Sequence, residues 1–131
     1  MPSIFSKIVK GELSAYKVAE DERFLAFLDI FPLAKGHMLI IPKKETDYIF
    51  DLDSKEFVAL WCFAQLIAKA MEKVIPCERI GIAVIGLEVA HAHIHLVPLT
   101  KGVSNINFEK QKLKFTQEEF EEIAQKIRRE V

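Results

Sequence analysis

Short apolar segments separated by brief turns restrict the fold of this chain more than any other feature of its sequence. Five segments have the length and the β-branched or aromatic content of strands: residues 16–20, 24–29, 37–41, 79–85 and 89–99. The polar turn at residues 21–23 and the loop at residues 31–36 are too short to hold crossover connections. We therefore expect an antiparallel sheet of five strands, with the third strand ending at Pro42 and the last two separated at Gly86.

Two helices are predicted before the fourth strand. Ser3 is suited to cap a short helix over residues 4–9, which Gly11 then ends. A much longer helix begins after Asp53, and its apolar residues recur at helical spacing until Pro76. Its apolar stripe is wider than one buried face needs, so the helix is either fully buried or packed both on its own sheet and on a partner subunit.

A third helix follows the last strand. Thr116 and Glu119 have the spacing of a capping box, and they predict a C-terminal helix over about residues 116–130. The predicted class is α+β: a mainly antiparallel five-stranded sheet with one long helix, a short N-terminal helix and a C-terminal helix.

Composition limits the possible partners. The chain has 131 residues, which we interpret as a single domain over residues 1–131. Its 18 basic and 19 acidic residues leave a net charge of −1, without the basic excess that nonspecific binding to nucleic acid or to an anionic membrane requires. Cys62 and Cys77 are isolated, and residues 1–12 lack the apolar core of a signal peptide, so we expect a cytoplasmic protein without a disulfide framework.

Three of the four histidines are concentrated in one predicted strand. His91, His93 and His95 alternate with apolar residues, so on a strand their side chains share one face. Three imidazoles on one face are a poor choice for packing, which favours a functional role. A metal site is one possibility, but the first and third histidines are separated by about 13 Å of extended backbone. Two neighbouring histidines could bind one ion, and all three could do so only in a sharply bent strand, with Asp29, His37 or Glu88 as candidate further ligands.

Nucleophilic catalysis is the second possibility. A neutral imidazole is a competent nucleophile near neutral pH, and a phosphorus centre is a suitable electrophile because its oxygens accept N–H donors from neighbouring rings. His93, as the middle ring of the three, is the expected nucleophile. A hydrogen bond to its other ring nitrogen would keep the attacking nitrogen unprotonated.

The sequence resembles the histidine triad (HIT) superfamily of nucleotide hydrolases and transferases. The run His91-Ala92-His93-Ile94-His95-Leu96-Val97 matches its pattern of three histidines alternating with apolar residues. Three earlier segments match in the family's order: residues 4–12 (IFSKIVKGE), residues 24–30 (FLAFLDI) followed by Pro32, and residues 36–44 (GHMLIIPKK). The resemblance thus covers nearly the whole chain.

This resemblance implies a role for each matching residue. It implies that His93 attacks the α-phosphorus of a nucleoside 5′-phosphate derivative and forms a nucleotidyl-histidine intermediate. His95 would contact the phosphate and assist the leaving group, and His91 would orient the middle ring. In the nucleotide-binding part of the site, the resemblance implies that Asp29 binds the ribose hydroxyls, that Ile30 lines the nucleoside pocket, and that His37 is an additional histidine near the triad.

Two departures from the family pattern affect these expectations. Leu87 and Glu88 stand where the family usually has a glutamine and a hydroxyl residue that hold the phosphate or leaving group. A carboxylate beside a phosphate is repulsive unless it points away, is protonated or faces a cationic leaving group, and our hypothesis is that Glu88 favours amine leaving groups. Ser3 and Ser6 stand where some relatives have a zinc-binding CxxC pair, and serine is a poor zinc ligand, so no metal is expected.

The expected function is hydrolysis or transfer at the α-phosphate of purine nucleotides. The substrate would be a purine nucleotide or nucleoside phosphoramidate, and the resemblance implies a homodimer without a cofactor. A dinucleoside polyphosphate hydrolase is the alternative within enzymes. A nucleotide-binding module with little turnover is the alternative from another class, followed by a metal-binding protein.

Overall fold

A five-stranded antiparallel sheet forms the centre of the computed structural model, which describes residues 2–131. Met1 of the expected domain lies outside the described residues. The sheet has the spatial order β1-β2-β3-β5-β4, and every neighbouring pair is antiparallel, which confirms the predicted sheet and the α+β class. Its strands are β1 (Lys17–Glu20), β2 (Phe24–Leu28), β3 (Met38–Pro42), β4 (Arg79–Ala83) and β5 (Ile94–Leu99).

The three predicted helices are present, and each begins where its cap predicts. They are α1 (Ile4–Val9), α2 (Ser54–Val74) and α3 (Gln117–Arg128); a 3-10 turn at Ile49–Asp51 was not expected. The side chains of Ser3 and Asp53 accept hydrogen bonds from backbone N–H groups at the starts of α1 and α2. At α3 both bonds of the capping box between Thr116 and Glu119 form.

The last two strands are shorter than the sequence pattern predicts. β4 ends at Ala83 rather than residue 85, and β5 begins at Ile94 rather than residue 89, so His91 and His93 lie in irregular backbone just before the strand. The ladder between β3 and β5 stops at the pair Ile40–Ile94. Beyond it, the carbonyl of Pro42 faces the His91 ring at 2.7 Å, and proline has no N–H for the ladder.

The alternation of side chains across the sheet survives in this irregular segment. Ala92, Ile94 and Leu96 belong to the main apolar core, which α2 and α3 cover. The three histidines that alternate with them lie on the opposite side, where Phe5 of α1 contacts two of the rings. That second face also holds a smaller core in which α1 packs on β2 and β3: Phe5, Ile8, Leu25, Phe27, Leu39 and Ile41.

Part of the broad apolar stripe of α2 remains uncovered. Leu60, Ile67 and Met71 are buried against the sheet, whereas Val58 is 59% exposed and Leu66 is 52% exposed. A fully buried α2 is therefore wrong for the single chain. Among residues 2–131, no helix is both long enough and apolar enough to cross a membrane.

Candidate active site

His37 and His95 meet where the start of β3 lies beside β5. Leu39 of β3 pairs with His95 of β5 in the ladder, and His37 immediately precedes β3. Gly36 shapes this entry: its φ is +88°, and a Cβ there would lie 2.9 Å from the Ile75 side chain, so both the backbone conformation and the space require glycine. His37 and His95 are 1% and 8% exposed.

Hydrogen bonds fix the protons of these two rings. The backbone N–H of Leu33 donates to His37 Nδ1 at 3.0 Å, so the neutral His37 ring carries its proton on Nε2. His37 Nε2 lies 2.9 Å from His95 Nδ1, which must then accept. The neutral His95 ring consequently carries its proton on Nε2 and can donate it to a ligand.

His93 has the opposite arrangement. Its Nδ1 lies 2.7 Å from the backbone carbonyl of His91, and a carbonyl only accepts, so Nδ1 carries the proton. In the neutral ring Nε2 then has a free lone pair. The rings of His93 and His95 are neighbours, with centroids 4.9 Å apart in an edge-to-face arrangement. An unprotonated nitrogen and an N–H donor therefore belong to two adjacent rings.

The carbonyl of His91, rather than its ring, holds the middle histidine. The His91 ring is fully buried and is engaged elsewhere: Nε2 donates to the Pro42 carbonyl at 2.7 Å, and Nδ1 faces the Ser3 hydroxyl at 2.9 Å. The resemblance implies that His91 orients the middle ring; in the structure the hydrogen bond to His93 comes from the His91 backbone carbonyl and not from its imidazole. The sequence pattern did not reveal this because it assumed a regular strand through residues 91–93.

Burial keeps several of these imidazoles neutral. Desolvation, reinforced by the charge of Lys112, lowers the pKa of His37 to about 4. Desolvation and the neighbouring His37 and His93 lower the pKa of His95 to about 3. The pKa of His91 is also lowered, chiefly by desolvation and against the opposing effect of its bond to Pro42. At neutral pH these three rings therefore act as neutral donors and acceptors.

Asp29 joins this group, whereas Ile30 and Glu88 are exposed residues of the segments that lead into or out of it in the sequence. One oxygen of Asp29 accepts the Phe31 N–H at 2.8 Å, and the other lies 3.5 Å from His37 Nε2. Ile30 is 54% exposed, and Glu88 is exposed in the irregular segment before β5. Within residues 2–131 the Glu88 side chain makes no hydrogen bond or ion pair that ties it to the histidines.

Two aromatic residues that the sequence did not single out pack against the histidines. Phe5 of α1 lies edge-to-face with His93, with centroids 5.0 Å apart. Phe108, in the segment after β5, lies 4.7 Å from the His95 ring in the same way. Leu113 in that segment donates its N–H to the Pro32 carbonyl at 2.9 Å, which brings the segment beside the loop after Asp29. No periodic pattern marks either aromatic residue, since each acts through tertiary packing.

Asp29, His37 and His95 also bring together three atoms of the kinds that bind metal ions. Their three ligand atoms all lie within 4.8 Å of one another. However, His37 Nε2 and His95 Nδ1 are 2.9 Å apart, whereas two nitrogens on one tetrahedral zinc would be about 3.3 Å apart. Since the two nitrogens share a proton at hydrogen-bond distance, the structure favours a hydrogen bond at this position over an ion.

Comparisons with known proteins agree with this architecture. Residues 10–102 match the family model described as the HIT domain. The chain is 35% identical over 132 residues to an uncharacterized HIT-like protein of Borreliella burgdorferi, covering 95% of this chain and 94% of that protein.

Solved structures show the same fold. A Hit-like protein from Bartonella henselae, described as involved in cell-cycle regulation, superposes with a TM-score of 0.86 at 32% identity, over 98% of this chain and 96% of that one. A hypothetical histidine triad nucleotide-binding protein from Sulfolobus tokodaii superposes with a TM-score of 0.82 at 27% identity, over 96% and 89% of the two chains.

Proposed function

The chain belongs to the HIT family, and we propose that it is a nucleotide hydrolase or nucleotidyl transferase acting at the α-phosphate of purine nucleoside 5′-phosphate derivatives. One observation carries this proposal: His93 Nδ1 donates to the His91 carbonyl at 2.7 Å, which leaves Nε2 free to attack. The solved relative from Sulfolobus tokodaii, which is described as nucleotide-binding, supports the substrate class.

The reaction proceeds in two displacements at phosphorus. The His93 Nε2 lone pair forms a bond to the α-phosphorus, and the bond from phosphorus to the leaving group breaks. The Nε2–H of His95 donates a hydrogen bond to the phosphate as its charge develops. Water then attacks phosphorus and frees His93. In the first displacement the leaving group takes the proton of His95 Nε2, and in the second the attacking water leaves its hydroxyl on phosphorus and returns a proton to His95.

The loop after β2 binds the nucleoside. Asp29 uses one oxygen for the Phe31 N–H and keeps acceptor capacity on the other, as recognition of ribose hydroxyls requires. Ile30 offers a half-exposed apolar side chain next to it for contact with a base. His37 supports the phosphate side of the site by holding the tautomer of His95.

Glu88 directs the choice of leaving group toward amines. Its side chain is exposed and carries no internal counter-ion among the described residues, so it is available to an incoming ligand. An amine leaving group that gains a proton is attracted by a carboxylate, whereas a phosphate leaving group is repelled. We therefore favour nucleoside phosphoramidates over dinucleoside polyphosphates as substrates.

A second copy of the chain is the proposed protein partner. β4 is an edge strand, and Ile82 on it is 54% exposed. A groove of about 590 Å³ lies between β4 and α2, lined by apolar side chains that include Val58 and Trp61. The buried Trp61 Nε1 has no hydrogen-bond partner within residues 2–131. An edge strand with an apolar flank is suited to pair with its own copy about a two-fold axis.

Turnover of two substrate types tests this function. The protein is mixed separately with an adenosine 5′-phosphoramidate and with a dinucleoside polyphosphate, and product release is followed by chromatography. Faster release of adenosine monophosphate from the phosphoramidate supports the proposal. Preference for the polyphosphate would favour the alternative hydrolase. Nucleotide binding without turnover of either would favour a binding module.

A further inference from the structure

Four side chains from three separate parts of the chain meet behind the histidine triad. Ser3 and Ser6 come from the start of α1, Glu45 from the loop after β3, and His91 from the segment before β5. The Ser3 hydroxyl lies 2.9 Å from His91 Nδ1, and the Ser6 hydroxyl lies 3.4 Å from the same atom. Glu45 Oε1 accepts from the Ser6 hydroxyl at 2.8 Å and from the Ser3 backbone N–H. We call these four residues the clasp.

The donors of the clasp have one consistent assignment. His91 Nε2 donates to the Pro42 carbonyl, so Nδ1 of the neutral ring is an acceptor. The single proton of Ser6 goes to Glu45, which leaves Ser3 as the donor to His91 Nδ1. The Ser3 oxygen in turn accepts the Ser6 N–H at 3.0 Å as the cap of α1. Ser3 therefore both begins the helix and donates to the ring nitrogen that the bond to Pro42 leaves unprotonated.

A zinc ion, which the family resemblance implies for relatives with a CxxC pair at these positions, does not fit this donor set. Zinc in proteins is held by thiolate, imidazole and carboxylate groups. Two of the four donors here are serine hydroxyls, which remain protonated at neutral pH. Their protons already bind Glu45 and His91, so the cluster is satisfied without a cation.

We propose that the clasp is a metal-free support that positions the nucleophile through His91. The His91 ring is held from both sides, by Pro42 and by Ser3, and the backbone carbonyl of the same residue receives His93 Nδ1–H at 2.7 Å. His91 precedes the regular strand, and its carbonyl belongs to a peptide whose N–H, from Ala92, donates to the Thr46 carbonyl at 2.6 Å. The clasp holds the ring of the same residue, and Ser3, Ser6 and Glu45 are positioning residues. The catalytic part of this inference rests on the proposed function.

Two variants of nearly equal shape distinguish the effect of the hydroxyl at residue 3 from the effect of a larger side chain there. Ser3→Thr retains the hydroxyl, and Ser3→Val replaces it with a methyl group. Ser14→Val serves as the matched control, because Ser14 is exposed and lies outside the clasp. For each protein, the ring nitrogens of His91 are observed by ¹⁵N NMR, kcat and KM are measured with an adenosine phosphoramidate, and zinc is determined by elemental analysis.

The NMR result tests the clasp without reference to activity. In the parent chain and in Ser3→Thr, His91 is expected to carry its proton on Nε2 with Nδ1 as a hydrogen-bonded acceptor. In Ser3→Val the Nδ1 resonance is expected to move to the position of an acceptor without a partner. The same Nδ1 resonance in both variants, or one zinc per chain in the parent protein, would overturn the clasp.

The kinetic result tests positioning. Ser3→Val is expected to lower kcat about tenfold with KM nearly unchanged, since a buried acceptor loses its partner away from the substrate. Ser3→Thr and Ser14→Val are expected to retain the parent kcat. An unchanged kcat in Ser3→Val despite the altered resonance would overturn the positioning role. Absence of turnover in the parent protein would instead reject the proposed function, while the NMR result still decides the clasp.

Discussion

His37 donates its Nε2–H to His95 Nδ1 across 2.9 Å, although 58 residues separate them in the sequence. The Leu33 N–H sets the direction of this bond by occupying the other nitrogen of His37. A backbone group in the loop before β3 thus decides which nitrogen of His95 carries a proton. The result is an N–H donor beside His93, where the proposed reaction develops negative charge.

The stability of the fold is expected to fall with decreasing pH because of these histidines. An unfolded histidine binds a proton near pH 6.5, whereas the pKa is about 4 for His37 and about 3 for His95 in the folded chain. Below about pH 6.5 the unfolded chain therefore binds more protons than the folded one, and the free energy of unfolding decreases. Above that pH neither state binds a proton at these histidines, and the free energy of unfolding no longer depends on their titration.

Urea unfolding between about pH 7 and about pH 5 measures this effect, since most carboxylates remain ionised in that range. Each buried histidine contributes a slope of up to about 1.4 kcal/mol per pH unit. The His37→Gln variant is expected to show a shallower slope than the parent chain. Equal slopes in the two proteins would contradict the neutral, buried state of His37.

Asp29→Asn is expected to weaken recognition of the ribose. Asparagine keeps an acceptor for the Phe31 N–H but removes the charge that favours hydroxyl donors. With an adenosine phosphoramidate, KM is expected to rise about tenfold, whereas with the 2′,3′-dideoxy analogue the variant and the parent chain should differ little. An equal rise for both substrates would show that Asp29 acts on folding or on the phosphate rather than on the ribose.

Most of the fold follows from local patterns in the sequence. Ser3, Asp53 and Thr116 cap their helices as predicted, because a cap depends on residues within one turn. The boundaries of β5 were wrong because they depend on a distant group. The Pro42 carbonyl binds the His91 ring, and regular pairing therefore begins only at Ile94. No local pattern contains that information.

The candidate site was predictable in its members but not in its proton arrangement. The alternation of His91, His93 and His95 on one side of the chain holds in the structure, even outside the strand. The donors to the rings of His95 and His91, however, come from His37 and Ser3, which are remote in the sequence from the triad. Neither the tautomers nor the part played by Glu45 followed from spacing, because they depend on tertiary contacts between loops.

Glu88→Ser is expected to shift the preference for the leaving group. Removing the carboxylate lessens the repulsion of a phosphate leaving group and the attraction of an amine. The ratio of kcat/KM for an adenosine phosphoramidate to that for a dinucleoside polyphosphate should fall about tenfold. This is the size of effect expected when one charged contact to the leaving group is lost. Glu12→Ser, at an exposed position in the turn after α1, is the matched control. An unchanged ratio in Glu88→Ser would contradict the proposed role.

The oligomeric state is expected to depend on the exposed face of α2. Light scattering at micromolar concentration should give a mass of about 30 kDa, twice the 15.0 kDa of one chain. Val58→Lys places a charge in the groove between α2 and β4 and should shift the mass toward that of one chain. Val103→Lys, at a 77% exposed loop position outside that groove, should retain the dimer. A monomeric parent protein would contradict the proposed partner.

Covalent trapping of the nucleotide tests the central proposal most directly. The protein is mixed with an adenosine phosphoramidate, quenched within the first turnover and digested, and the peptide containing residues 91–95 is identified by mass spectrometry. We predict an adenylyl group on His93, present in the parent chain and lost in His93→Ala. Turnover without any adduct, or an adduct that persists in His93→Ala, would contradict the assignment of His93 as the nucleophile.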